Sequence, residues 1–224
     1  MKIVTKIMFI MALLIPASLA SAGSSKIGIL VFDKFLTSDV TAPIEVFGAA
    51  TKKSWFSSYE VVVISATKNR TVRSEEGLTV IADKTIYDKL NLDVLIVPSA
   101  YEMDGFLGNK NLISFIKRQG LSALWMASNC SGAFLLGEAG ILDGKKATTW
   151  AGGEGNLAKS YPKINVQYDQ NVVIGNKVIT SNGGPVSYQA AFALLTKLSS
   201  EKFSKEISES IQFDRLGRAF KPNK

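Results

Sequence analysis

The sequence predicts an α/β fold in which helices sandwich a doubly wound, mainly parallel β-sheet. Two observations support this. Short apolar runs, typical of strands buried on both faces, alternate along the chain with amphipathic segments of helical period. Such alternation implies right-handed crossovers between parallel strands. Without the N-terminal segment discussed below, about 200 residues remain, a length suited to one domain with a sizeable core.

The first half of the chain begins with a buried strand over Lys26–Phe32, followed by a polar loop. Thr41 is the expected N-cap of the first helix, with Pro43 in its first turn, and the helix is predicted to end near Lys53. The next predicted elements are a strand over Tyr59–Ser65, an edge strand over Gly77–Ala82, a short helix over Ile86–Leu90 and a buried strand over Asp93–Val97.

In the second half, an amphipathic helix over Asn111–Gln119 leads into a buried strand predicted over Leu121–Ala127. A small-residue helix is expected over Ser131–Ala139. The remaining predicted elements are a short strand ending at Thr149, a short helix over Gly152–Tyr161, strands over Val166–Asp169, Val172–Ile174 and Lys177–Ser181, a type II′ turn at Gly175-Asn176, a long helix over Val186–Leu198 and a charged helix from Glu201.

Cys130 is the only cysteine of the chain, and it falls on the turn between a predicted strand and a predicted helix. This is the geometry of a nucleophile elbow, which lifts one side chain above the carboxyl edge of a parallel sheet. A position at a helix N-terminus is also expected to favour the thiolate. The alternative is a buried structural cysteine, since free cysteines are commonly buried.

Acidic residues follow two other predicted strands. Asp39 and Glu45 lie between the first strand and the first helix, at the edge of the sheet where ligands bind in open α/β folds. Glu102 and Asp104, with Tyr101, follow the strand that ends at Val97. The alternative for Asp39 is that it caps a turn, and for Glu45 that it complements the helix dipole.

Composition excludes several mechanisms. The chain has no histidine, which removes Ser-His-Asp and Cys-His catalysis and the commonest zinc ligand, so we expect no metal and no cofactor. Any general acid or base must be a carboxylate, a lysine or a tyrosine. The net charge is +7, but basic residues are mixed with acids, so we predict no nucleic-acid binding. A single cysteine excludes an intrachain disulfide.

Residues 1–22 are predicted to be a signal peptide. Lys2 and Lys6 form a positive segment, Ile7–Ile15 an apolar one, and Ala20-Ser21-Ala22 a cleavage site. We expect cleavage near Ala22 and export to the periplasm or the medium, with no membrane contact afterwards; an uncleaved anchor is the alternative. The predicted organisation is therefore a signal peptide (1–22), an α/β domain (23–200) and a C-terminal helix with a basic tail (201–224).

An ordered set of motifs covers nearly all of the chain after the signal segment. The motifs are G-I-L-V-F-D, S-D-V-T-A-P-I-E-V-F, D-V-L-I-V-P, S-N-C-S-G-A-F-L-L-G-E-A-G-I-L-D-G-K-K-A-T-T, L-A-K-S-Y-P and V-V-I-G-N-K-V-I-T-S-N-G-G. With them the chain resembles the DJ-1/PfpI (ThiJ) superfamily, and most of all its branch of isonitrile hydratases and amidase-like regulator domains. The resemblance implies a flavodoxin-like sheet of the class I glutamine amidotransferase type.

The resemblance also implies roles for individual residues. In hydratase-type members the cysteine works with an aspartate before the first helix and a hydroxyl residue after the cysteine, here Asp39 and Ser131. Many relatives place a glutamate beside the thiol, and by position that is Glu45. Members are commonly homodimers with the cysteine near the subunit interface, so a homodimer is expected.

Two departures from the family pattern affect the expected site. Relatives of the hydratase type usually have a histidine after A-T-T, where this chain has Trp150, which cannot act as acid or base. Trp150 is expected either to form an apolar wall of the site or to pack in the core. Ser99-Ala100 replaces a Gly-Gly pair, which is expected to change how closely the backbone of this loop approaches an oxyanion, although the amide of Ser99 or Ala100 could still donate to it.

The residues and the resemblance together predict a hydratase or hydrolase that acts on a small C–N substrate by covalent catalysis at Cys130. Asp39 would supply a proton and then activate water, while Ser131 and backbone amides hold the developing charge. A hydrogen bond from Glu45 to the sulfur would require a protonated carboxyl. Two alternatives involve no turnover: a redox or small-molecule sensor, and a binding domain that kept only the pocket.

Overall fold

The alternating strands and helices build one seven-stranded sheet with helices on both faces, described by the computed structural model for residues 24–216. The strands are β1 (Ser25–Val31), β2 (Tyr59–Ser65), β3 (Thr71–Arg73), β4 (Thr79–Ile81), β5 (Lys84–Thr85), β6 (Val94–Val97), β7 (Trp125–Asn129), β8 (Lys146–Ala147), β9 (Asn165–Val166), β10 (Val172–Ile174) and β11 (Val178–Ser181). The helices are α1 (Thr37–Thr51), α2 (Asp104–Leu107), α3 (Lys110–Ser122), α4 (Gly132–Glu138), α5 (Glu154–Ser160), α6 (Ser187–Leu198) and α7 (Glu201–Ser210).

The central sheet has the strand order β10-β11-β7-β6-β1-β2-β5, and all neighbours are parallel except β10 and β11. Helices α1, α6 and α7 pack together on one face, and α2, α3 and α4 pack together on the other. The chain first builds outward from β1 to β2 and β5, and then returns to place β6 on the other side of β1. The loops that follow β1 and β6 therefore diverge at a topological switch point, where open α/β sheets bind ligands.

The predicted α/β, mainly parallel, doubly wound fold is confirmed, but several boundaries were wrong. The strand expected over Leu121–Ala127 begins only at Trp125, because α3 continues through Ser122 and leaves Leu121 84% exposed. No helix forms over Ile86–Leu90. The turn between β10 and β11 has three residues and not two, with Lys177 in the left-handed conformation (φ 58°), so it is not a type II′ turn at Gly175-Asn176.

The first helix begins five residues earlier than predicted, with Leu36 and not Thr41 at the N-cap position. Thr37 is its first residue, and the expected cap Thr41 lies inside it, where its hydroxyl donates to the Thr37 carbonyl. The helix start is stabilised from a distance, because the Glu76 carboxylate accepts hydrogen bonds from both the amide (3.0 Å) and the hydroxyl (2.6 Å) of Thr37. A capping group 39 residues away leaves no local sequence signal. As a result, Asp39 lies in the first turn of α1 and not in the loop before it.

The C-terminal helix α7 is amphipathic, as predicted, and is attached to the body of the fold. Phe203 and Ile207 are buried, and the Phe203 ring contacts the rings of Trp55 and Phe56. The predicted signal peptide and the end of the basic tail lie outside the described residues. Within residues 24–216, no helix is long and apolar enough to cross a membrane.

Candidate active site

Cys130 occupies a sharp turn between β7 and α4, as the strand-to-helix pattern predicted. Its backbone is in the left-handed region (φ 50°), which is uncommon for a residue with a side chain and costs on the order of 1–3 kcal/mol. Two hydrogen bonds hold it there: its N–H donates to the Ser181 carbonyl (2.9 Å), and its carbonyl accepts from the Thr149 hydroxyl (2.8 Å). The thiol is therefore fixed at the carboxyl edge of the sheet by β11 and by the loop after β8.

Two glycines allow the turn to pack this tightly. A Cβ on Gly132 would lie 2.5 Å from the Val97 carbonyl oxygen, so only glycine lets α4 approach the end of β6. A Cβ on Gly183 would lie 2.4 Å from the Cys130 Cβ and 2.9 Å from Asp39 Oδ1. Cys130 and Asp39 therefore both border the same small space beside the Gly183 backbone.

Asp39 is completely buried and accepts four hydrogen bonds. Its Oδ1 accepts from the Gly184 N–H and the Ser187 hydroxyl, both at 2.9 Å, and its Oδ2 accepts from the N–H (3.1 Å) and hydroxyl of Ser99. Burial raises the pKa of Asp39 above its ordinary value, while the four hydrogen bonds act in the opposite direction and only partly offset it. Asp39 thus favours the protonated form more than an exposed aspartate does.

A second contact ties Asp39 to the elbow through the backbone. Pro43 lies inside α1 and has no N–H, so it leaves the Asp39 carbonyl without its usual helical partner. The side-chain amide of Asn129 donates to that carbonyl at 2.9 Å, and Asn129 Oδ1 accepts from the Ser181 hydroxyl at 2.7 Å. The residue just before Cys130 therefore fixes the position of Asp39 relative to the thiol.

The pKa of Cys130 is raised, first by burial and then by the negative charge of Asp39. Contacts with the side chains of Ser99 and Ser131 and with the Ser131 backbone lower this pKa, but only in part. The helix terminus was expected to favour the thiolate, but burial and the neighbouring acid shift the pKa of Cys130 in the opposite direction. This shift favours the protonated thiol.

Ser131 and Ser99 both lie close to the sulfur, but neither is placed quite as expected. The Ser131 hydroxyl donates to the Ala100 carbonyl at 2.9 Å, so its proton is not free for a substrate. The Ser99 amide is used by Asp39, and the Ala100 amide points at the Met103 sulfur at 3.4 Å. The expected oxyanion role of the Ser99 and Ala100 amides is therefore wrong in this conformation.

A cavity of about 720 Å³ opens in front of the thiol. The lining residues include Cys130, Ser131, Ala100 and four aromatic side chains, Tyr101, Phe134, Trp150 and Tyr161. Asp39 and Ser99 have no exposed surface and lie behind the wall of the cavity. A substrate in this cavity would thus meet the sulfur directly and the buried carboxyl only through other groups.

Trp150 lines this cavity, which agrees with one of its two expected roles. Its ring stacks on Phe134, with centroids 5.3 Å apart and planes at 23°. Gly153 lies against the indole so closely that a Cβ there would be 2.1 Å from a ring carbon. Trp150 therefore both packs against its neighbours and contributes an apolar wall.

Glu45 does not belong to this site. It is six residues beyond Asp39 in α1, which places it on a different face of the helix, and its side chain is exposed. The Tyr188 hydroxyl donates to Glu45 Oε2, and burial together with this contact raises the pKa of Tyr188 to about 12. The expectation that Glu45 lies beside the thiol is therefore wrong. Asp39 alone supplies the neighbouring acid.

Several residues that hold the site together carried no sequence signal that we used. Ser187 and Gly184 donate to Asp39, and Asn129 fixes its backbone. The N-G-G-P-V-S run predicts the start of a helix, and its N-G-G ends one of the family motifs, but neither pattern indicates the contacts of Gly184 and Ser187 with Asp39. Within the described residues, no group of three or more histidine, cysteine, aspartate or glutamate side chains is arranged to hold a metal ion.

The comparison with known proteins is consistent with this geometry. The family model described as "DJ-1/PfpI family" matches residues 25–197. Isonitrile hydratase of Pseudomonas putida is 31% identical over 127 residues, which cover 56% of this chain and 53% of that protein. Protein/nucleic acid deglycase 2 of Escherichia coli K12 is 28% identical over 128 residues, covering 56% of this chain and 70% of that protein.

Among solved structures, a ThiJ/PfpI family protein from Pseudomonas syringae superposes with a TM-score of 0.72. The two are 23% identical, and the match covers 90% of this chain and 77% of the other. At this identity the likeness concerns the fold.

Proposed function

The chain belongs to the DJ-1/PfpI family, and from this premise we propose that it is a cysteine-dependent hydratase or hydrolase of a small C–N substrate, similar to isonitrile hydratase. The observation that carries the proposal is the position of Cys130. A thiol held in a strained elbow, at the wall of a cavity and beside a buried acid, is an arrangement for covalent catalysis rather than for packing.

The protonated state of the thiol favours a substrate that takes up a proton as sulfur adds. With an isonitrile, R–N≡C, the Cys130 sulfur bonds to the terminal carbon and a proton is delivered to that carbon, giving the thioimidate R–N=CH–S. Water then adds to the same carbon, and one of its protons goes to the nitrogen. The C–S bond breaks as the C=O bond forms, and the second water proton goes to the sulfur, while the proton delivered to carbon remains there. The product is the formamide R–NH–CHO, so one water is consumed and the enzyme is regenerated.

Asp39 would donate or accept the proton that moves in each step, although it lies behind the cavity wall. Because burial raises its pKa, Asp39 is better suited to donate a proton than an exposed aspartate is. Because Asp39 does not line the cavity, we propose that the proton passes through the Ser99 hydroxyl, which contacts Asp39 Oδ2 and also hydrogen-bonds near the sulfur. Ser99 also lies behind the cavity wall, so it would pass the proton between Asp39 and the Cys130 sulfur and not directly to the substrate.

The groups available to stabilise developing charge lie on the elbow. The Ser131 N–H already hydrogen-bonds towards the sulfur and faces the start of α4. We propose that this amide, and not those of Ser99 or Ala100, supports the charge that develops on the substrate. The Ser131 hydroxyl would fix the Ala100 loop through its hydrogen bond to the Ala100 carbonyl.

The test is turnover of a small isonitrile, for example benzyl isonitrile, followed by formation of its formamide. Cys130→Ala should abolish turnover, and Asp39→Asn should reduce it by about 10²-fold or more, as expected for loss of a general acid. Glu45→Gln is the matched control, since it neutralises an acid of the same helix outside the site. Undiminished turnover in Cys130→Ala would refute the proposal.

A second candidate is a binding or redox-sensing protein that uses the same pocket without turnover. The raised pKa of Cys130 supports binding without turnover, because a thiol is a weaker nucleophile than a thiolate, and for the same reason it does not favour oxidation by peroxide. The apolar wall at Trp150 would suit a small ligand. Mass spectrometry after mild peroxide treatment separates redox sensing from the rest: a chain that stays unmodified at Cys130 does not sense peroxide.

We also propose that the protein is exported, on the basis of the charged, apolar and small-residue segments in residues 1–22. The mature N-terminus then lies near Gly23. Mass spectrometry of the protein from fractionated cells tests this, and a cytoplasmic chain that retains Met1–Ala22 would refute it.

Finally, we propose a homodimer with a small-molecule substrate as the only other partner. The support is the family resemblance, in which subunits commonly associate near the cysteine. Light scattering coupled to gel filtration measures the mass in solution, and a monomer over the micromolar range would refute the dimer.

A further inference from the structure

The charged residues that line the cavity all have the same sign. Glu102 and Asp104 contribute carboxylates, and no lysine or arginine is among the lining residues. Lys159 precedes the lining residue Ser160 but does not itself line the cavity. The whole chain carries a net charge of +7, so a purely acidic cavity is not a consequence of composition.

Both carboxylates are exposed and unengaged. Within residues 24–216, neither Glu102 nor Asp104 makes an ion pair or a side-chain hydrogen bond. Other exposed acids of the fold do have partners: Glu60 pairs with Lys26 at 2.8 Å, and Glu206 with Lys53 at 2.9 Å. Because neither carboxylate has a partner in this part of the chain, the negative potential of both is available to attract a cationic ligand to the mouth of the cavity.

Aromatic rings complete the mouth and the wall. Tyr101 is 72% exposed and makes no ring contact within the described residues, so the face of its phenol is available. Elsewhere in the cavity lining, the Phe134 ring contacts the rings of both Trp150 and Tyr161. Aromatic faces attract cations, and carboxylates add to that attraction, whereas both disfavour an anion.

A bound cation would also assist the chemistry at the thiol. The negative charge of Asp39 and burial both raise the pKa of Cys130, and a substrate anion would raise it further. A positive charge on the substrate would instead favour the developing thiolate. A positive charge on the substrate would therefore be favoured twice, by the carboxylates at the mouth of the cavity and by ionisation of the Cys130 thiol.

We propose that the cavity selects electrophilic substrates that carry an amine or ammonium group, and that Glu102 and Asp104 are the residues that determine this specificity. The identity of the reacting group rests on the proposed function, but the charge preference does not. The substrate places its electrophilic carbon at Cys130 and its cationic end between the two carboxylates and Tyr101.

The test uses a pair of thiol reagents that differ in charge, 2-(trimethylammonio)ethyl methanethiosulfonate and 2-sulfonatoethyl methanethiosulfonate. In each reaction the Cys130 sulfur bonds to the reagent sulfur, methanesulfinate leaves, and the thiol proton passes to solvent. The ratio of the two rates is divided by the same ratio for free 2-mercaptoethanol, which removes intrinsic reactivity. At low salt the corrected ratio should favour the cationic reagent by about fivefold or more, and it should fall at 0.5 M NaCl because exposed charges are screened.

Two variants connect the ratio to the proposed residues. Glu102→Gln/Asp104→Asn should bring the corrected ratio close to one, and Glu102→Lys/Asp104→Lys should invert it. Glu206→Gln/Glu209→Gln removes two exposed acids of α7 and should leave the ratio at the wild-type value. A wild-type ratio of one, or a ratio that the first variant does not change, overturns the proposal.

This measurement is independent of turnover. If neither benzyl isonitrile nor an isonitrile with an ammonium group is hydrated but the cationic reagent is still preferred, the proposed reaction fails and the charge preference holds. If benzyl isonitrile is hydrated but the two reagents react alike, the reverse is true. A pair of isonitriles, one with an ammonium and one with a carboxylate group, then compares kcat/KM directly, and equal values would also overturn the preference.

Discussion

Replacing Asp39 by asparagine removes its negative charge and also changes its hydrogen bonds, and the two effects can be measured separately. The substitution keeps the size of the side chain but turns one acceptor oxygen into a donor NH₂ group. Oδ1 faces the Gly184 N–H and Oδ2 faces the Ser99 N–H, so in either orientation the new NH₂ meets a backbone N–H. One buried backbone donor loses its partner whichever way the amide turns.

The size of the effect on stability follows from that geometry. A buried donor left without a partner costs about 1–3 kcal/mol, and Asp39 has no exposed surface through which water could compensate. A loss of about 2 kcal/mol lowers the Tm of a domain of this size by about 4–8 °C. Calorimetry measures the change, with Glu45→Gln as the control because its carboxylate is exposed and contacts only the Tyr188 hydroxyl.

The same substitution should make the thiol more reactive while it lowers turnover. The negative charge of Asp39 raises the pKa of Cys130, so its removal lowers that pKa and increases the thiolate fraction at a given pH. The pH dependence of alkylation by iodoacetamide, followed by intact mass, reports this directly because the chain has one cysteine. An unchanged or higher thiol pKa in Asp39→Asn would refute the electrostatic account, and faster alkylation with normal turnover would refute the role of Asp39 as proton donor.

Three further predictions concern the supports of the elbow and its pH dependence. Gly183→Ala should destabilise the fold by several kcal/mol, because φ 77° and ψ −167° suit only glycine. The new Cβ would also meet Cys130, so the rate of thiol labelling should differ from that of wild type. A denaturation curve like that of wild type would contradict this. Asn129→Ala should cost about 1–3 kcal/mol, because it leaves the Asp39 carbonyl unpaired, and chemical denaturation measures it. The pKa of Asp39 is raised in the folded state, so the contribution of Asp39 to stability is fully present below its ordinary value of 3.8 and is lost as pH rises through the folded pKa. The free energy of unfolding of wild type relative to that of Asp39→Asn should therefore fall over this range; pH-dependent unfolding of both proteins measures it, and a difference that grows would refute the assignment.

The layout of strands and helices was predictable because burial leaves a clear pattern in the sequence. The apolar runs of β1, β2 and β6 are buried strands, and the strand-turn-helix pattern placed Cys130 at the end of β7. The start of α1 was not predictable from local pattern, since its capping group, Glu76, comes from a distant loop. Nothing in the neighbourhood of Thr37 indicates that it starts a helix.

In the candidate site, too, the local sequence predicted where residues lie along the chain, whereas their contacts and charges depend on distant residues. Cys130 and Asp39 were found from their places at the ends of strands, but Glu45 was placed wrongly because position in a motif does not tell which face of α1 a side chain occupies. The protonated state of the thiol depends on burial and on a charge 91 residues away in the chain, so a rule based on the helix terminus gave the wrong sign. Tertiary contacts, and not local sequence, set the electrostatics.

Because the chain has no histidine, the reaction that the site can catalyse depends on Cys130 and Asp39 alone as the groups that exchange protons. In a Cys-His site the base removes the thiol proton in advance, and the thiolate can attack an amide or ester that takes up no proton at carbon. Here the thiol and Asp39 are both shifted towards their protonated forms, so neither removes the proton of the other before substrate binds. Such a pair is suited to adding S–H across an unsaturated carbon that accepts both the sulfur and the proton, which an isonitrile carbon does and an amide carbonyl carbon does not. The chemistry of the Cys130–Asp39 pair therefore favours hydration over acyl transfer. A cationic substrate, held by the carboxylates at the mouth of the cavity, would in addition ease the ionisation of the sulfur as it attacks.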